Sequence, residues 1–198
     1  MQKTTRISTG KKLQIPKILF LILIAFIVSV KVSARQTDNT ALWKTVRLLI
    51  DSIQENDSIK TGYITSSNGL TDVYEDTTKI FKDSVFSQAD IRFFRKQLGM
   101  YRTMEWADSN KPDNIKILQQ STITSLMIKG PSGWDKLSKK CGKGYKTYSF
   151  PLFNSDMSYA VMAESYHTPH KTTGGTCLFK NVKGSWKRIK TYATWSGY

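Results

Sequence analysis

"SYAVMAESYH", residues 158–167, decides the fold. Tyr159, Val161 and Ala163 hold one parity of this run, and Ala160, Met162 and Tyr166 hold the other. Successive side chains of an extended strand point to opposite faces, so a run apolar on both parities is covered on both sides and belongs at the centre of a sheet. Further strand-like runs surround it: "YKTYSFPLF" (145–153), "GTCLFKNV" (175–182) and "SWKRIKTYATW" (185–195). Residues 154–156 separate the first run from the central one and residues 181–184 separate the last two, connections short enough for antiparallel hairpins. Trp186 and Ile189 sit three apart, which breaks strict alternation; either a bulge lies between them or one faces outward. The expectation is an antiparallel β-meander of about four strands over 144–195.

Such a sheet needs a cover. "TALWKTVRLLIDSIQEN" places Leu42, Val46, Leu49, Ile50 and Ile53 at helical spacing, with Asn39 or Thr40 available as a cap. "FSQADIRFFRKQLGMY" gives the strongest helical signal. Ser87 precedes Asp90 by three, a capping-box variant with Asp in the Glu/Gln position, and Ile91, Phe94, Leu98 and Tyr101 form one stripe. The helices are expected within 36–60 and 85–105, and the fold class is α+β. Between them, the polar stretch 57–78 reads as a loop with one or two short strands, and "EWADSNKPDN" as a turn-rich connector. "IKILQQSTITSLMI" leans towards a strand because of its β-branched Ile and Thr, broken at "KGPSG".

The N-terminal segment combines Lys3, Arg6, Lys11, Lys12 and Lys17 with the uncharged run Ile18–Val30 and small residues at Ser33 and Ala34. That order is the pattern of a secretory signal peptide over 1–34, and the run is shorter than the roughly 20 residues that span a bilayer. The alternative is an uncleaved segment, residues 15–32, anchoring the chain to the inner membrane; only then is the membrane a partner. Residues 35–198 are long enough for one domain with its own core. Removing the leader takes six basic residues and no acidic ones, leaving 24 against 15, so the formal charge falls from +15 to +9. An extracytoplasmic (periplasmic or secreted) basic domain fits an anionic envelope component or another envelope protein as partner. No nucleic-acid-binding module is recognisable.

The C-terminal third carries a further pattern: Gly133-Trp134, Ser149-x-Pro151-x-Phe153-Asn154-x-Asp156, Tyr159-Ala160, Gly174-Gly175, then Leu178, Gly184-x-Trp186-Lys187 and Trp195. It resembles the C-terminal part of a group of uncharacterised exported bacterial proteins of the Bacteroidota type, and "FSQADI" resembles their Ser-x-x-Asp-Ile segment. The resemblance implies a domain and no activity. The turn ahead of the glycine pair carries Cys-Gly elements in those proteins and reads "HTPHKTT" here, so no role of that turn carries over.

Chemistry-bearing residues are sparse. Cys141, His167, His170 and Cys177 are ligand types for tetrahedral zinc, but the cysteines lie 36 positions apart, unlike the close pairs of structural zinc sites. In an exported chain the same Cys141 and Cys177 invite a disulfide, although flanking a central strand on opposite sides separates them by more than about 7 Å. "GPSGW" lacks the G-x-S-x-G spacing, so a nucleophile would have to recruit His167 or His170 as base. "KTTGG" places Lys171, Gly174 and Gly175 as candidate ligand contacts, and no cofactor motif is present. The aromatics Trp134, Trp186, Trp195, Tyr148, Tyr159, Tyr166 and Tyr192 either pack the core or line a sheet face that stacks on sugar rings or a partner. The favoured expectation is a non-enzymatic envelope binding or interaction domain. The alternative is an envelope hydrolase or metal-dependent enzyme using His167 or His170.

Overall fold

The computed structural model describes residues 41–57 and 61–197. The leader or anchor expected over residues 1–34, and the caps at Asn39 and Thr40, lie outside the described residues. No helix among the described residues is long and apolar enough to cross a membrane.

The chain is α+β, with a mixed sheet larger than the expected four strands. Helix α1 (41–56) is followed by β1 (Tyr63–Thr65), α2 (Leu70–Phe81), α3 (Gln88–Tyr101), β2 (Lys116–Leu118), α4 (Gln120–Met127) and α5 (Pro131–Cys141). The strands β3 (Tyr145–Tyr148), β4 (Leu152–Phe153), β5 (Tyr159–His167), β6 (Thr172–Val182) and β7 (Ser185–Gly197) complete it. The sheet has seven strands in the order β2-β1-β3-β5-β6-β7, with β4 paired to β5 beyond the end of β3. Pairing is parallel for β1 with β2 and with β3, and antiparallel elsewhere.

The C-terminal meander forms as its pattern dictates. β5 is central, and Val161 and Met162, on opposite parities, are both fully buried. The run 145–153 is two strands rather than one. Ser149 interrupts it, donating its backbone N–H to Ala163 O at 2.9 Å while its hydroxyl accepts from Ala163 N at 2.9 Å, so the ladder is kept through a side chain. Between β6 and β7 the register shifts twice, leaving Ile189 and Tyr192 as the extra residues. The bulge falls on Ile189 itself and not between it and Trp186, and of the two readings the second holds: Trp186 is buried and Ile189 faces outward.

Outside the meander the structure corrects the expectations. Residues 70–78, read as loop, belong to a helix, Leu70–Phe81, that packs against β5, β6 and β7. The segment read as a strand is β2 for three residues and then α4. "GPSGW" opens a helix with Pro131 at its first position, where a missing N–H costs nothing, and Cys141 is the last residue of that helix. Gly133 is held by contact: a Cβ there would strike the Leu126 carbonyl, so α4 and α5 meet backbone to backbone. α3 starts with the capping box expected of Ser87 and Asp90.

The register sorts the layers. Tyr145, Thr147, Val161, Ala163, Ser165 and His167 share one face with Leu118 and Tyr63. On this face Leu118 and Tyr145 pack with Ile123 and Leu137 of the α4–α5 pair. Asp83, just after α2, accepts from Lys190 Nζ and Tyr192 Oη at 2.6 and 2.9 Å. Asp90 reaches from α3 to the 154–158 turn. Its carboxylate accepts from Ser155 N (2.9 Å), Ser155 Oγ (2.7 Å), Ser87 N (3.0 Å) and Ser87 Oγ (2.7 Å). Burial pushes its pKa up, but those four bonds outweigh burial and hold the group well below the usual carboxylate range. The other face carries Ile64, Lys146, Tyr148, Ala160, Met162, Glu164 and Tyr166, and the C-terminal end of α1 lies over it.

Candidate functional site

One helix does not cover a sheet of this width. Beside the end of α1 the second face opens into a cleft of about 780 Å³. Ser52, Ile53, Asn56 and Asp57 form one wall; Glu164, Gly175, Cys177, Phe179, Thr191 and Arg188 form the floor and the opposite wall. Such a volume lies in the ordinary range of small-molecule sites.

The floor is charged. Glu164 stands in the otherwise apolar run of β5, directly opposite Tyr148 on β3 and Gly175 on β6. Its Oε1 accepts from Arg188 of β7, whose side chain is 47% exposed, whereas that of Glu164 is 14% exposed. Its Oε2 is buried and has no hydrogen-bond partner among the described residues. Lys146, 3% exposed, pairs with Asp57 just past α1 and lies 5.8 Å from the Tyr148 ring. Burial raises the Glu164 pKa, Arg188 and Lys146 pull it down, and Asp57 raises it again; the balance is a carboxyl above its ordinary value. Burial also pushes the Tyr148 phenol far up. Gly175 keeps the floor open between Glu164 and Thr194. A Cβ there would lie 2.7 Å from the Ala193 carbonyl oxygen, so only glycine fits the close approach of β6 to β7. Cys177, next along this face, has its thiol 3.7 Å from Thr191 Oγ1, and burial raises its pKa. It is a neutral, protonated lining group.

The histidines lie elsewhere. His167 points to the opposite face, stacked on Tyr145 with ring centroids 4.8 Å apart. Its Nε2 bonds Thr147 Oγ1 at 3.0 Å and its Nδ1 bonds Thr172 Oγ1 at 3.2 Å. Burial lowers its pKa, so the ring is a neutral rung with both nitrogens occupied. His170 is exposed in the turn 168–171, which Thr168 closes by accepting from Lys171 N at 2.9 Å and donating to Lys171 O at 2.8 Å. Lys171 is exposed in that turn, while Gly174 and Gly175 lie inside β6 and not in a loop. Cys141 donates to Leu137 O at 3.0 Å and packs on the helix-covered face, whereas Cys177 faces the cleft; both thiols are free. Among the described residues no group of three His, Cys, Asp or Glu side chains could hold a metal ion.

Of the aromatics, Tyr148 and Trp186 are buried, and Trp134, Tyr159, Tyr166, Tyr192 and Trp195 are half-buried. Tyr166 and Trp186 line the cleft. The residues that sequence reasoning passed over are Asp57, Lys146, Glu164 and Arg188. The signal was a lone acid inside an apolar central strand and a lysine between two tyrosines, since a charge on an inward parity is rarely left without purpose. Comparison with protein-family models, curated proteins and solved structures finds no match to this chain.

Proposed function

We propose that the chain is an extracytoplasmic, non-enzymatic binding domain that takes a small polar ligand in the cleft beside α1. The carrying observation is the cleft itself, an open concavity whose floor holds a largely buried carboxyl and a half-exposed guanidinium. Buried charge is costly to maintain and is weak as a source of stability, so its placement at an open site favours recognition. The leader-like N-terminus and the resemblance to exported Bacteroidota-type proteins support the extracytoplasmic placement, and the basic charge supports an anionic envelope component as the source of ligand. The reading of an enzyme using His167 or His170 draws no support from the geometry, because threonine hydroxyls occupy both nitrogens of His167 and no carboxylate, cysteine or serine side chain is bonded to either ring among the described residues.

The test is a nuclear magnetic resonance titration of the isotope-labelled chain against a panel of neutral and acidic sugars. The expected result is saturable shifts confined to 52–57, 164–166, 173–179 and 186–194. Shifts centred on 167–171, or activity against ester or peptide substrates lost in His167→Ala, would overturn the proposal.

A further inference from the structure

We infer that the cleft receives a small hydroxylated carboxylate, an acidic sugar in chemical class, whose carboxylate takes the place of Glu164 on Arg188. This rests on the binding reading and names the ligand for it. Arg188 and Glu164 already form an arginine–carboxylate contact at the cleft surface, so the site displays the geometry an incoming carboxylate would inherit. Arg188 offers Nη2 to Glu164 and remains half-exposed, so guanidinium donors are left for a ligand that can bind through two parallel bonds. The other charges are internal: Lys146 is buried against Asp57. Arg188 is therefore the charged group of this floor most open to solvent, its side chain 47% exposed against 14% for Glu164, 22% for Asp57 and 3% for Lys146. Hydroxyls of Ser52, Thr173, Thr191 and Thr194 line the remainder, which suits a hydroxylated body over an apolar one.

Displacement has a consequence for protons. Glu164 is faced by Lys146 and Tyr148 from β3, Asp57 from beyond α1, Cys177 from β6 and Arg188 from β7. Arg188 is the first of the groups that hold its carboxyl ionised. When the ligand takes the guanidinium, Glu164 remains desolvated beside Asp57 and without its main counter-charge, and it takes up a proton from solvent. No covalent bond changes; one proton moves from buffer to Glu164 for each ligand bound.

Calorimetry of the full chain with glucuronate, its neutral counterpart glucose, and inorganic phosphate tests this, repeated near pH 6 in buffers of different ionisation enthalpy. Expected are saturable heat with glucuronate, at least tenfold weaker binding of glucose and of phosphate, and net proton uptake. Arg188→Gln should weaken glucuronate at least tenfold, and Lys190→Gln, which sits on the opposite face with Asp83, should not. Glu164→Gln is decisive: removing the competing carboxylate should tighten glucuronate binding and abolish proton uptake. Circular dichroism checks that each variant is folded. Equal binding of glucose leaves the cleft reading standing and overturns the carboxylate. Equal binding by phosphate reduces the site to charge alone and overturns it as well. Weaker binding in Glu164→Gln would make Glu164 a ligand contact and overturn displacement. If none of the three probes binds, both the inference and the reading beneath it fall.

Discussion

The two faces of β5 are built from the same strand and hold charge in opposite ways. On the helix-covered face Asp90 makes four hydrogen bonds, Asp83 is bonded by Lys190 and Tyr192, and His167 has both nitrogens filled. On the cleft face Glu164 has one oxygen bonded to Arg188 and, among the described residues, no hydrogen-bond partner for the other. The Thr176 hydroxyl, buried on the helix-covered face opposite Ala163, is also without a hydrogen-bond partner among the described residues, so the contrast lies in the ionisable groups and not in every polar atom. We read the contrast as structure on one face and recognition on the other.

The largest effect that would break the comparison is at Asp90. Asp90→Ala removes the α3 cap and the tie to the 154–158 turn together, and should cost about 3 kcal/mol in urea unfolding. The same carboxylate sets the acid limb. Its folded pKa is depressed from 3.8, so its contribution is complete above the unfolded value and is lost as pH falls below about 4. Asp90→Ala should therefore flatten the loss of stability measured between neutral pH and pH about 3.

His167→Ala comes next. It removes the stack on Tyr145 and leaves two threonine hydroxyls without the ring, at a cost of about 2 kcal/mol. Its pKa is lowered from 6.5, so this contribution is present above pH about 6.5 and declines below it. Glu164 runs the other way. Its folded pKa lies above the ordinary 4.5, so its contribution is complete below that value and is lost as pH rises through the folded one. Acid should thus weaken the helix-covered face and stabilise the cleft face, a difference that residue-resolved hydrogen exchange at pH 7 and pH 5 can read. The smallest effect is at Ile189, exposed on its bulge, where Ile189→Thr should change the melting temperature by less than about 2 °C.

How much of this the sequence carried depends on how strongly each segment committed itself. β5 is apolar on both parities, and α3 has both a capping box and a four-residue stripe; each is overdetermined and each forms. α2 is not. Leu70, Val73 and Ile80 are separated by polar residues, and it starts at Gly69 with φ of 54° and no side-chain cap, so its helicity comes from packing against the sheet. α4 is eight residues with one fully buried apolar side chain, Ile123, and its Thr and Ile favour strands when read alone. In α5 the Gly130-Pro131 pair reads equally as a break or as a helix start, and only the contact of Gly133 with α4 decides. β1 and β2, at three residues each, are below what a period can show. The cleft was invisible for a different reason: Asp57, Lys146, Glu164 and Arg188 come from four separate segments and meet only through register. The histidines drew attention because histidine is chemically versatile, yet the register places His167 on the face already filled.

Equilibrium urea unfolding of the double variant Glu164→Leu/Arg188→Met puts the central claim to the most direct test. An ion pair kept for a ligand contributes little to the fold, so the variant should unfold within about 1 kcal/mol of the parent or be more stable. A loss of about 3 kcal/mol or more would make the pair a structural tie, and the cleft face would then differ from its opposite in exposure alone.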